Sequence, residues 1–232
     1  MLAKIRRTGF LYLIGSTVNR FVPHWLFRFR RFVVYEMDTA RLAAEVSERK
    51  TPADAPINVS WCETDDDIRA AEKLTYTSAD SVGDNFKIAQ AKSDQQLAGA
   101  LWAVRNSFTE HELGIQFDLT PNQIWLFAAL VDSQFRRQGI YAQVLSFMCS
   151  AGESEFATEA TGSPQFLLCV NPHNIASNRV HQKYAKEVFG QAFSFKIFNM
   201  AACFCFGKKL SAERAMTWDA ANRPISIRIG SL

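Results

Sequence analysis

The chain has 232 residues, 48% of them hydrophobic, enough for one sizeable core with a small appendage, and this excludes a disordered or low-complexity protein. Five cysteines (Cys62, Cys149, Cys169, Cys203 and Cys205) form no CxxC pair and lie near no histidine at metal-ligand spacing. They predict buried, reduced thiols and no metal centre. The net charge of +3 is uneven: Lys4, Arg6, Arg7, Arg20, Arg28, Arg30 and Arg31 fall in the first 35 residues without an acid, while the remainder carries 19 basic and 23 acidic residues.

Aromatic residues such as Phe10, Tyr12, Phe21, Trp25, Phe27 and Phe29 interleave with those cations. The pattern has two readings. Residues 1–35 either lie on an anionic membrane surface, or form an extension whose apolar face packs on the core or on a second copy of the chain, giving a homodimer. The apolar run 9–18 follows a charged start, as in an export signal. However, Asn19-Arg20 stands where a small-residue cleavage site would be, and the run is far short of the roughly 20 residues of a membrane span. No nucleic-acid-binding motif accompanies the short basic stretch, so nucleic acid is not an expected partner.

A strand-like stretch, 31–38, closes the extension, and 42–50 reads as a short helix. The Pro-containing segment 51–56 reads as a linker. The expected organisation is therefore an extension and linker at 1–55, a main domain at 56–207 and a tail at 208–232 packing on it. Within the domain, 57–62 predicts a strand and 65–76 a helix capped by Thr64. Residues 86–91 and 96–104 predict paired strands. Residues 106–123 read as a long polar connection carrying Glu110, His111, Glu112 and Asp118.

Residues 124–131 form an eight-residue apolar run rich in β-branched and aromatic side chains, which suits a strand buried on both faces. A polar turn, 132–138, follows. Ile140, Val144 and Met148 then recur at helical spacing. A buried strand ending in a basic, Gly-containing turn at a helix start makes an anion site, because backbone N–H groups and the helix dipole converge there and Arg136 and Arg137 add charge. Neither GxGxxG nor a P-loop is present. A second buried strand is predicted at 166–170 and a helix at 175–188. Residues 193–206 read as one long strand or two short ones, with Cys203 and Cys205 on one face. The tail offers a short helix and a last strand, 225–229. Early antiparallel strands followed by strand–helix pairs define an α/β (α+β) class: a mixed, mostly antiparallel sheet flanked by helices, with a basic aromatic N-terminal extension.

Two segments carry a resemblance. Arg136-Arg137-Gln138-Gly139-Ile140-Tyr141 resembles the acyl-CoA pyrophosphate loop of the GNAT N-acyltransferases, (Q/R)xxGx(G/A). Arg136 and Gly139 match, and Tyr141 stands where the family has a small residue. Val170, Asn171, Asn174, Ser177, His181 and Lys183 then follow the family's VNxxNxx(A/S)xxx(Y/H)xK pattern. The resemblance spans 57–206 and is concentrated in 124–188.

It implies a GNAT-like fold and acetyl-CoA as acyl donor. Backbone N–H groups of Arg136, Arg137, Gln138, Gly139, Ile140 and Tyr141 would hold the pyrophosphate. Backbone groups of Leu130 and Val131 would pair with the pantetheine, one facing the oxyanion. Asn174 and Ser177 would bond the cofactor's amide arm. His181 takes the general-acid position, with Tyr184 one turn later as the alternative donor. The base is open among Glu110, His111, Glu112 and Asp118, with Glu112 carried as the candidate. The helical face shared by Asn174, Ser177 and His181 also has an ordinary reading, in which Asn174 is a cap and His181 a satisfied histidine. No histidine is placed to activate Cys169, which favours direct attack over an acyl-enzyme. The implied activity is a cytoplasmic N-acetyltransferase acting on a primary amine of a small molecule such as an amino sugar or amino-acid derivative, peripheral to the membrane on the first reading of residues 1–35. A reading of another class is a non-catalytic CoA-binding or membrane-associated module.

Overall fold

The computed structural model describes residues 21–23, 26–48, 57–83, 85–156 and 163–230. Lys4 to Arg20 of the basic extension and the linker 51–56 lie outside them. In chain order the elements are β1 (Phe27–Met37), α1 (Thr39–Glu48), β2 (Ile57–Trp61), α2 (Asp65–Thr75), β3 (Phe86–Ser93), β4 (Gln96–Val104), β5 (Ser107–Glu110), β6 (Ile115–Asp118), β7 (Gln123–Val131), α3 (Ile140–Glu155), β8 (Gln165–Val170), α4 (Ile175–Tyr184), β9 (Ala185–Ile197), β10 (Met200–Phe206), β11 (Leu210–Ala212), β12 (Met216–Thr217) and β13 (Ile225–Ile229). The class is the expected one, α+β with mostly antiparallel sheets and four helices among the described residues. No described helix is long and apolar enough to cross a membrane.

The chain divides into two compact units. One comprises the described parts of Asp38–Asn106 and Pro121–Leu167. Its strands run in the order β2-β3-β4-β7, antiparallel throughout, and β8 begins beside β7. The β3–β4 hairpin closes on Asp94 and Gln95, both at positive φ, as a two-residue turn matching strand twist requires. Helix α2 starts where Thr64 accepts from the Asp67 N–H at 3.2 Å, with three aspartates in the first turn against the positive end of the dipole. Its Ala71 buries against Ile88, Ala100 and Trp102. The Trp102 indole donates to Thr75 Oγ1 at 3.0 Å, which satisfies the polar atom of this buried ring. Helix α3 brings Phe147 and Phe156 against Trp61.

The other unit comprises the described parts of Met1–Met37, Ser107–Thr120 and Leu168–Leu232. Strand β1 pairs with β9 along its whole length, β9 with β10, and β10 with β12, all antiparallel. A second sheet runs β11-β13-β6-β5, in which β13 and β6 are parallel. Phe32 meets Phe117 edge-on at 5.5 Å. Three cations of the basic segment have partners here: Arg30 with Glu110 at 2.9 Å, Arg28 with Glu112 at 3.7 Å, and Arg31 with Gln191 at 2.7 Å and over the Phe193 ring.

Three expectations are corrected. Residues 106–123 are not an irregular connection: Phe108, Ile115 and Phe117 lie on β5 and β6, whose ladder is completed by β13 from the chain's far end. The second helix stops at Tyr184 instead of 188, because residues 185–197 extend into β9 between β1 and β10, and ladder bonds on both edges outweigh a weak helical period. The tail carries β11, β12 and β13 and no described helix.

Candidate active site

Strand β7 is buried from Gln123 to Leu126 and opens from Phe127 onward. The change falls at a β-bulge. Trp102 faces Phe127 and Ala100 faces Leu130, so Ala128 and Ala129 together oppose Leu101, and Ala128 has φ 47°. A bulge rotates the local peptide groups away from the ladder. Beyond it, Leu130 and Val131 are half-buried and pair with Ala100 and Gly99. Gly99 permits close approach there: a Cβ on it would lie 3.2 Å from Ile140 and 3.3 Å from the Leu130 carbonyl.

After β7, Asp132 turns the chain by accepting from the Gln134 N–H at 3.0 Å. Arg136, Arg137 and Gln138 are exposed, and Arg136 Nε donates to the Val131 carbonyl at 3.3 Å. Arg137 and Gly139 have φ 69° and 79°. Gly139 stands at the start of α3 without a side chain to cap it. The first-turn N–H groups of a helix have no intrahelical acceptor, so this end presents donors and the positive dipole end beside two guanidiniums. Tyr141 is half-buried, and burial raises its hydroxyl pKa, keeping it protonated. A groove of about 420 Å³ adjoins the turn, lined by Leu130, Asp132, Ser133 and Arg136 on one side and by Lys73 and Tyr76 from the end of α2 on the other. Lys73, Tyr76 and the Ala128 bulge were not read from sequence. Lys73 had only its last-turn position as a signal, and an alanine at positive φ has no local signature.

The α4 residues lie in the other unit. Asn174 caps the helix, accepting from the Ser177 N–H at 3.3 Å, as the ordinary reading expected. His181 is buried, and its Nδ1 sits 2.7 Å from the Ser177 carbonyl and 3.2 Å from Ser177 Oγ. A carbonyl can only accept, so Nδ1 carries a proton toward Ser177. Burial lowers the His181 pKa below the ordinary 6.5, against a smaller opposing effect of the Ser177 carbonyl, and the ring is neutral at pH 7. Tyr184 is fully buried in the unit. Tyr35 donates to Asn178 Oδ1 at 2.8 Å from β1.

Among the acids, Glu110 is bonded to Arg30. Glu112 lies 3.7 Å from Arg28 and 3.6 Å from Arg30, and Asp118 accepts from Gln116 and Ser226. The His111 carbonyl accepts from Lys196. The Glu110, Glu112 and Asp118 side chains and the His111 carbonyl thus serve as ion-pair and hydrogen-bond partners within their unit. Cys169 departs from the expected buried thiol: it is exposed on β8. The described residues contain no group of three or more metal-ligating side chains.

No protein-family model and no curated protein matches the chain. Among solved structures it is similar to a conserved protein of unknown function from Staphylococcus epidermidis, with 13% identity and a TM-score of 0.46 over 80% of this chain and 65% of that one. An aminoglycoside N-acetyltransferase in complex with CoA is similar at 17% identity and a TM-score of 0.44, over 60% of this chain and 93% of that one. A GCN5-related N-acetyltransferase-like protein from Streptococcus suis is similar at 13% identity and a TM-score of 0.45, over 80% of this chain and 66% of that one. The chain spans less than two thirds of the Staphylococcus and Streptococcus proteins. GNAT acetyltransferases are thus among its structural neighbours, at a distance that carries no functional argument.

Proposed function

We propose that the chain is an acyl-CoA-dependent N-acyltransferase that moves an acetyl group to a primary amine of a small molecule. The observation that carries this is the turn Arg136–Tyr141. It is exposed and basic, is shaped by two positive-φ residues, and is set between the opened end of β7 and the uncapped start of α3. That is a seat for a pyrophosphate, and Lys73 and Arg136 line the adjoining groove with further positive charge. The apolar lining from Leu130 suits a pantetheine arm.

The chemistry is direct attack. The amine nitrogen bonds to the thioester carbonyl carbon, the carbon–sulfur bond breaks, and the CoA thiolate leaves. Backbone N–H groups of the opened β7 segment would stabilise the oxyanion. The neutral His181 suits a shuttle better than a simple acid. As the resemblance implies, His181 would exchange a proton with the reacting groups, with its Nδ1–H bonded to Ser177. The neutral ring, with its proton on Nδ1 and bonded to the Ser177 carbonyl, is a poor acid and supports a second reading, a non-catalytic CoA-binding module.

The test is calorimetric titration of the full chain with acetyl-CoA, followed by thiol release with a panel of amino sugars and amino-acid derivatives. Binding with thiol release supports the transferase. Binding without release across the panel selects the module, and no binding by folded protein removes both.

A further inference from the structure

The sheet formed by β1, β9 and β10 has a covered side and an open side. Directly paired residues of an antiparallel ladder point the same way. The register therefore sets Phe32, Ala192, Ser194 and Cys203 on one side, and all four are buried. Arg31, Phe193, Phe195, Phe204 and Phe206 stand on the other. Phe204 and Phe206 are 47% and 53% exposed, and Met216 on β12 continues this side at 46%. The rings meet across the strands, Phe195 with Phe204 at 6.3 Å and Phe193 with Phe206 at 5.7 Å, and the Arg31 guanidinium lies 5.0 Å over Phe193. The water-facing side of an antiparallel sheet ordinarily turns polar. A contiguous aromatic one marks a docking surface.

One end of this surface is concave and basic. The cross-strand row Val33, Gln191 and Phe206 lines a cavity of about 450 Å³ together with Glu187, Lys208 and Lys209. Glu187, the acid lining it, is bonded to Lys209. Lys208 is exposed and forms no ion pair among the described residues. The cavity is thus positive, and Arg31 places a second cation among the rings.

We propose that this open side docks on a bilayer containing anionic phospholipid, with Phe204 and Phe206 seated at the boundary of headgroups and acyl chains and with Lys208 and Arg31 at lipid phosphates. Charge decides the occupant. A two-fold contact with a second copy sets this cationic, aromatic side against itself, cation facing cation. An anionic bilayer answers both features, because aromatic rings favour the headgroup level and each nearby cation gains from the negative surface. Strand β1 is also the end of residues 1–35, which carry seven cations and no acid, so the segment leading into this surface has the same sign. The proposal does not depend on acetyl-CoA binding.

The experiment sediments the full chain with vesicles of phosphatidylcholine alone or mixed with phosphatidylglycerol. The chain should pellet with the mixed vesicles, stay in solution with the neutral ones, and be released by salt. Phe204→Ser combined with Phe206→Ser should weaken binding by about tenfold or more, and Lys208→Gln by about fivefold. Both sites are exposed, and circular dichroism checks that the variants keep the fold. Wild-type binding by both variants would overturn the proposal, since the basic segment alone would then hold the vesicles. A folded wild type that ignores mixed vesicles would also overturn it, as would a dimer in light scattering that the double variant dissociates while vesicle binding is unchanged.

Discussion

Burial and one short hydrogen bond decide what His181 can do. With Nδ1–H held by Ser177 and the pKa lowered by desolvation, the imidazole works in its neutral form. The working form is lost only as pH falls through that lowered pKa, so a catalytic profile should hold its activity below pH 6.5, the ordinary histidine value, before declining. His181→Gln should reduce kcat by about 100-fold or more, with the acetyl-CoA Kd unchanged. A wild-type kcat in that variant at every pH would remove His181 from the chemistry. Gly139 invites a sharper test. A β-branched residue at φ 79° is strained by roughly 1–3 kcal/mol, and its side chain would stand where a phosphate must approach backbone N–H groups. Gly139→Val should abolish acetyl-CoA binding while the far-ultraviolet spectrum persists. The Gly-containing turn at a helix start brought Gly139 forward, and the resemblance over residues 170–183 singled out His181. The tautomer and burial of His181 were illegible, since they depend on what packs around the ring.

Among the elements, α2 shows how far local signals reach. Thr64, three aspartates and the left-handed Tyr76 mark its two ends within a dozen residues, and the boundaries agree with the sequence reading to one residue. Thr64→Ala removes the acceptor for the Asp67 N–H and should cost about 1 kcal/mol, read as a lower midpoint in urea unfolding with the slope unchanged. Strands β5 and β6 show the limit. Four residues each are too short for alternation to stand out in a polar stretch, and β13, which pairs with β6, begins more than a hundred residues later. The bulge in β7 is likewise set by how Ala100 and Trp102 engage the strand, and the run 124–131 reads as a uniform buried strand without them.

Among the described residues, His181, Asp67 and Asp219 weaken the folded state toward acid. His181 has a depressed folded pKa, so the unfolded chain takes up its proton first and stability falls as pH drops below about 6.5. Asp67 is held below its usual 3.8, chiefly by the hydrogen bond from Lys92, so its contribution is present above that value and is lost as pH falls through the lowered one. Thermal midpoints should therefore decline in two stages, and His181→Gln should flatten the first. An equal decline between pH 7 and 5 in variant and wild type would show that His181 does not govern that stage. What the sequence alone determined was local: the β7–turn–α3 passage, the capped start of α2, the break before α4 and the α+β class, all encoded by apolar period, glycine and caps among residues a few positions apart. Only the tertiary structure decided the fate of residues 185–197, the second sheet, the bulge at Ala128, the partners of Arg28, Arg30 and Arg31, and the neutral state of His181. Each of these depends on a ladder partner or burial environment supplied by chain far away in sequence, and such pairing outweighs the weak preferences of the segment itself.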